Sequence, residues 1–257
     1  MRTSIKAMLA STVLAASAFA AATPAFADDT APPSDFTITG SATIASQYRF
    51  RGVAQSDNKP VVQGAITLAH SSGFYVSTWG SSAEGGAPID LNGTEIDVYG
   101  GYTKSFSGIT LDGGLYGYIY PGATGLNYYE IYGSVAGAVG PVTAKVGINF
   151  APNQKNTVKD NTYVYGELSG SIPNTPLFLH AHLGHTGGAF NYPKQYWDFS
   201  AGATVKWKNL ALDASVVGTD MKSSDFIDKG YAATVAGAKP FRRMTKPVGV
   251  VSLTASF

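Results

Sequence analysis

The last ten residues alternate strictly. Gly249, Val251, Leu253, Ala255 and Phe257 share one face, while Val248, Val250, Ser252, Thr254 and Ser256 share the other. A period of two predicts a strand. One greasy face against one small polar face suits a wall between lipid and water. The same period recurs upstream. Ile96, Val98, Gly100 and Tyr102 oppose Glu95, Asp97, Tyr99 and Thr103; Ile109, Leu111, Gly113, Leu115 and Ile119 oppose Thr110, Asp112, Tyr116, Tyr118 and Tyr120. Tyr129, Ile131 and Val135 oppose Glu130, Tyr132 and Ser134; Val142, Ala144, Val146, Ile148 and Phe150 oppose Thr143, Lys145 and Asn149.

Read along the whole chain, the pattern predicts about twelve strands of ~10 residues, the length a tilted membrane strand needs. They fall at 37–46, 60–70, 73–82, 94–103, 108–120, 127–138, 141–151, 161–172, 176–187, 195–207, 209–219 and 247–257. The connections alternate short and long. The long ones are 47–59, 83–93, 121–126, 152–160, 188–194 and 220–246, and the last is long enough for a further hairpin, which would make fourteen strands. Short turns on one side and long loops on the other are the rule for an all-β, antiparallel, up-and-down transmembrane barrel. No helical domain or linker interrupts residues 28–257, so they read as one barrel domain.

Composition supports the pattern. The chain has 257 residues, 44% hydrophobic and 14% charged, with 30 glycines, 15 tyrosines and no cysteine. Disulfides and thiolate metal sites are therefore excluded. Arg2 and Lys6, an apolar run from Ala7 to Ala22, and Ala25-Phe26-Ala27 form a secretory signal peptide over residues 1–27. Formal net charge is +1, and loss of Arg2 and Lys6 brings it to about −1. That balance argues against a nucleic-acid partner.

The apolar face must meet lipid, so the polar face lines the interior. The pore-lining candidates are Glu95, Asp97, Asp112, Glu130, Glu167, Asp198 and Asp213, with Lys145, Lys206, His180 and His182. Tyr99, Tyr116, Tyr118, Tyr128, Tyr132, Tyr163 and Tyr165 join them. Acids outnumber bases, so an open wall would favour cations. Alternatively the charges pair across a narrow lumen and fill it. Phe74, Trp79, Trp197, Trp207 and Phe257 read as membrane-interface aromatics; a sugar-stacking platform is the alternative for the tryptophans. His180 and His182 lie two apart on one face, a spacing that can serve a metal but equally simple lumen polarity. No Gly-x-Ser-x-Gly motif occurs, and no cofactor is implied.

Two resemblances add to this reading. A final strand ending on Phe257 resembles the C-terminal signature of bacterial outer-membrane barrels, which implies the barrel assembly machinery as a partner. Ser46-Gln47-Tyr48-Arg49-Phe50-Arg51-Gly52, then Lys59-Pro60-Val61-Val62-Gln63-Gly64, then Gly73-Phe74-Tyr75-Val76-Ser77-Thr78-Trp79-Gly80-Ser81, resemble the TorF family of proteobacterial porin-like proteins. Residues 44–102 carry the resemblance, with Glu95 to Tyr102 also fitting. It implies an outer-membrane barrel passing small hydrophilic solutes. Arg49 and Arg51 would share a face if their strand ran to Gly52, and the acidic wall would then hold both guanidiniums in bidentate pairs. The segment then either folds inward as a constriction or ties the first loop to the wall. The competing functions are a closed barrel whose basic last loop (Lys222, Lys229, Lys239, Arg242, Arg243, Lys246) binds lipopolysaccharide phosphates or a partner, and an outer-membrane lipid-modifying enzyme.

Overall fold

The structure, a computed structural model, describes residues 35–257 except 87, 88, 156, 158 and 192. The signal peptide expected over residues 1–27 lies outside the described residues. The strands are β1 (Phe36–Ala45), β2 (Arg49–Phe50), β3 (Val53–Ala54), β4 (Val61–His70), β5 (Phe74–Gly86), β6 (Ile89–Phe106), β7 (Ile109–Ile119) and β8 (Tyr128–Val139). They continue with β9 (Val142–Ala151), β10 (Asn161–Ser171), β11 (Leu177–Gly188), β12 (Tyr196–Trp207) and β13 (Leu210–Thr219), then helices α1 (Ser223–Asp228) and α2 (Val235–Thr245), then β14 (Val248–Ser256). β1 and β4 through β14 close into one antiparallel barrel, and β2–β3 form a separate small hairpin. Twelve wall strands stand where the alternation places them.

The outside of the wall is apolar. Ile38, Val62, Leu115, Val146, Leu168 and Leu183 are each more than half exposed, and many other aliphatic residues face the same way. Aromatics ring the two ends of this belt. Phe36, Phe74, Phe106, Trp207 and Phe257 lie near the short-turn end, and Tyr129 and Trp197 near the loop end, all outward. A soluble protein would have to hide this surface; a bilayer accommodates it, with aromatics at the interfaces.

Glycine and tyrosine abundance has a packing cause. Inner-face glycines leave slots into which tyrosine rings on the neighbouring strand lie. Tyr165 pairs with Gly147 across β10 and β9, and a Cβ on Gly147 would collide with the Tyr165 ring. The same device works on the outside at the seam. A Cβ on Gly40 would fall 2.5 Å from the Phe257 ring. Phe257 also exchanges backbone bonds of 2.8 and 2.9 Å with Gly40.

Three expectations are corrected. Residues 83–93 are not a long loop: the β5–β6 ladder runs out to Gly86 opposite Ile89, through a register shift between Ala83 and Gly85. Gly85, at φ +77°, supplies the irregular residue that a bulge needs. Residues 220–246 hold no hairpin but α1 and α2. Thr234 caps α2 by accepting from Gly237 N–H at 3.1 Å, and Pro247 follows its last turn. Trp79 is not an interface aromatic: Phe74, Val76 and Thr78 point out, so Tyr75, Ser77 and Trp79 point in.

Replacing Gly147 with Val should force the Tyr165 ring out of its slot and cost about 1–3 kcal/mol. Gly249, beside which a Cβ would meet nothing, is the control. The temperature at which the folded band disappears in heat-modifiability gels should drop for Gly147→Val and hold for Gly249→Val.

Candidate functional site

The interior holds the charged residues that the alternation assigned to it. Glu95, Asp97, Glu130, Lys145, His182, Asp198 and Asp213 are buried, and Asp112, Glu167, His180 and Lys206 are half-buried on the same inner surface. In the loop half Glu130 is 0% exposed and Asp198 1%, and both lie under chain that crosses the lumen. Something closes the loop half.

That closure is the first loop. Between β1 and β4 the chain turns inward. Arg51 and Gly52 take φ of +47° and +78°, which makes the tight tip of the β2–β3 hairpin. Gly52 is needed there: a Cβ would strike the Gly218 carbonyl and Thr219, on the wall. Arg51 reaches Glu130 on β8, with Nη2 donating to Oε2 at 2.6 Å. Going round the barrel, β8 is five strands from β1 one way and seven the other, so the hairpin spans nearly the full width. Glu130 also accepts from Tyr118 at 3.1 Å and Asn149 at 3.0 Å. The guanidinium lies 4.1 Å from the Tyr163 ring centroid and 4.6 Å from that of Phe50.

Arg49 goes elsewhere. It donates to the carbonyls of Gly52 (2.9 Å), Met244 (2.7 Å) and Lys246 (3.2 Å), and to Asn58 Oδ1 at 2.9 Å. The expected shared face fails because β2 stops at Phe50 and the turn rotates Arg51 away. Bidentate pairing also fails: Arg51 holds one carboxylate oxygen, and Arg49 holds the C-terminal end of α2, where carbonyls are otherwise unmet. Inward folding and tying to the wall are thus both present, in different arginines.

The last loop sits on the hairpin. Phe226, Met221, Ala238 and Tyr196 form a buried cluster with Val53 packed against it. Arg243 pairs with Asp57, and Thr219 donates to the Thr245 carbonyl at 2.8 Å. Lys194 pins α1 through Asp220 at 3.3 Å and Asp225 at 3.1 Å. Burial alone would push the Asp225 carboxyl up, but the Lys222 backbone N–H and the Lys194 ammonium more than offset that, and it titrates below the usual aspartate range. A carboxyl depressed on folding adds stability above its unfolded value and loses it as pH falls through its folded one. Amide exchange over 223–228, corrected for intrinsic rates, should therefore accelerate in that acid window.

Four of the seven interior acids lie beside a basic side chain: Glu130 beside Arg51, and Glu167, Asp198 and Asp213 beside lysine or histidine. Glu167 lies 3.8 Å from Lys145 and 3.4 Å from His182, and His182 Nε2 lies 3.2 Å from Asp198. His180 Nε2 lies 2.7 Å from Asp213, which also accepts from Thr204 at 2.7 Å and from Ser215. Each histidine thus has a carboxylate that the local sequence did not place beside it. Ser215 donates its hydrogen bond to Asp213, not to His180, so this set lacks the serine–histidine bond of a nucleophilic triad. Among the described residues no group of three or more His, Asp or Glu is disposed to hold a metal. Glu95, Asp97 and Asp112 differ: they accept from Tyr48 (3.2 Å), Tyr116 (2.8 Å) and Tyr75 (2.8 Å), with no ion pair to any of the three among the described residues. Lys206 lies 4.5 Å from the Phe178 ring centroid. The sequence marks Asn161 only by its parity with Tyr163 and Tyr165, and Tyr48 and Tyr75 only as members of the family blocks.

A family pattern for bacterial proteins of unknown function, Gcw_chp, matches residues 29–257. The chain belongs to the Gcw_chp family. The match leaves the TorF reading of residues 44–102 as a resemblance. No curated protein matches this Gcw_chp chain in sequence. Among solved structures it is similar to a KdgM porin in complex with disordered oligogalacturonate, at 12% identity and TM-score 0.56, covering 85% of this chain and 99% of that one. It is also similar to the NanC porin, at 9% identity and TM-score 0.51, covering 86% and 99%. At these identities the likeness establishes the barrel fold of the Gcw_chp chain.

Breaking a buried pair leaves an uncompensated charge, at a cost of about 3–5 kcal/mol. Arg51→Gln or Glu130→Gln alone should therefore unseat the hairpin, and the double variant should unseat it less. Limited trypsin digestion with mass spectrometry should show cleavage after Arg49 rising in the single variants.

Proposed function

We propose that this Gcw_chp protein is an outer-membrane channel for passive diffusion of small hydrophilic solutes and ions, with the β2–β3 hairpin as its constriction. One observation carries the reading. The lumen is polar and charged, and its closure is a hairpin tip held across the barrel by the Arg51–Glu130 pair. The seal combines polar contacts with the packing of Tyr48, Phe50 and Val53, and it sits on a loop anchored at both ends in the wall, so it can open without unpairing the barrel strands. The apolar belt with aromatic rims supports placement in the outer membrane. The TorF resemblance and the porin-like fold point the same way. Export by the signal peptide, and assembly through Phe257, complete this reading. Transport of this kind needs no catalytic step and no cofactor.

Selection follows from width and fixed charge. Glu95 and Asp97, without ion-pair partners among the described residues, bias the path toward cations. A closed structural barrel is the second reading, favoured by the burial of Glu95, Glu130 and Asp198. In it the exposed Lys222, Lys229, Lys239 and Lys246 would meet lipopolysaccharide phosphates.

Planar-bilayer recording of the refolded mature chain in a salt gradient separates the two. The channel reading expects discrete steps with a cation-favouring reversal potential. Arg51→Ala should enlarge the steps about two-fold or more, and Glu95→Gln with Asp97→Asn should move the reversal potential toward zero. A folded barrel that conducts in neither form would establish the closed one.

A further inference from the structure

The β2–β3 hairpin is too small to hold itself in place. Each of its strands has two residues, so it depends on what surrounds it. On the wall side Glu130 holds Arg51, and the Tyr48 hydroxyl donates to Glu95 at 3.2 Å. On the other side stands the last loop, with Val53 packed against the cluster of Tyr196, Met221, Phe226 and Ala238.

The end of α2 is built around the first loop. A helix leaves its last four carbonyls without helical donors. Here Arg243 O accepts from Asn58 Nδ2 at 3.3 Å, and Met244 O and Lys246 O accept from Arg49 at 2.7 and 3.2 Å. The fourth, Thr245 O, accepts from Thr219 on β13 at 2.8 Å. Three of the four caps therefore come from the first loop and one from the wall. Asp57 adds an ion pair to Arg243. The hairpin tip and the chain leaving α2 also press on the same place. A Cβ on Gly52 would fall 2.5 Å from the Gly218 carbonyl, and a Cβ on Gly218 would fall 2.5 Å from Pro247 Cα. Withdrawing the hairpin would uncap α2, and lifting α2 would strip the hairpin of its outer contacts. The first loop is rooted at Ala45 and Val61, both at the loop end of the wall, so the hairpin leaves the lumen outward, past α2.

We propose that α1 and α2 are the latch of the constriction: hairpin and last loop are displaced together, and the lumen opens only as the latch lifts from the β12–β13 rim. The inference rests on the channel reading and names what governs its gate. Such coupling is reciprocal, so loosening either partner loosens the other.

Hydrogen exchange read by mass spectrometry, on the refolded mature chain in lipid nanodiscs, tests this without any current. Arg51→Gln, which cuts the wall bond, should speed exchange over 236–246 about five-fold or more. Asp225→Ala removes the α1 cap and its Lys194 pair, and Phe241→Ala removes the ring stacked on Phe226. Both spare Arg51, and both should speed exchange over 49–54 by the same factor. Gly147→Val, in the wall, should move neither segment. All variants must first show a normal heat-modifiable band. Arg51→Gln freeing 49–54 alone, or latch variants that are faster over 223–246 yet leave 49–54 at the wild-type rate, overturns the interlock. In bilayers, a channel whose open fraction is the same in wild type and both latch variants overturns the latch and leaves the channel standing. A barrel that never conducts but shows the reciprocal exchange keeps the interlock and overturns conduction instead.

Discussion

Closure of the hydrogen-bonded ladder between β1 and β14 is the constraint on which the rest of this structure depends. In hydrocarbon no water is available to satisfy a free strand edge, so an open sheet of this kind has no stable place. The closing seam is short: Ser41 to Ala45 pair with Ser252 to Ser256, whereas β1 pairs with β4 over its whole length. It is reinforced from both faces. Outside, the Phe257 ring covers Gly40; inside, Thr43 and Thr254 share a hydroxyl bond of 2.8 Å. The terminal aromatic residue thus has a structural role in addition to whatever recognition its position permits.

With the edge problem solved by closure, the two faces of each strand are free to follow opposite rules. The outside is as apolar as the surrounding lipid requires. The inside is filled with tyrosine rings, carboxylates and a few cations rather than aliphatic side chains. Such a core gains little from the hydrophobic effect and holds together by directional bonds, whose groups are costly to leave unmet. Glycine on the inner face is the geometric counterpart of tyrosine. Without Gly147 the Tyr165 ring could not lie along the wall.

How much of this could be read from the sequence follows from the same physics. The wall strands were legible because a two-sided environment imposes a period of two over every ~10 residues, and the charged lumen residues fell out of the same parity. Trp79 faces inward because parity along β5, not residue type, sets the face. The β5–β6 extension was missed because a glycine pair reads as a loop, although a bulged ladder uses glycine as well. In the last loop α1 has only six residues, and α2 carries Gly237 and Pro240, which in sequence read as helix breakers. Above all, the Arg51–Glu130 bond joins residues 79 apart in sequence, and Arg49 meets Met244 across 195. Local pattern holds no information about which loop crosses the lumen. It showed only that two arginines stood at its mouth.

The partners of Arg49 set an order of assembly. Its carbonyl acceptors at Met244 and Lys246 lie immediately before β14, and the chain leaving β1 is stitched to β14 itself, Ser46 N–H to the Val251 carbonyl at 2.8 Å. The hairpin therefore has no complete seat until the final strand has arrived. The first loop can thus take its full set of bonds only once the cylinder has closed, although it lies between the first two wall strands of the chain.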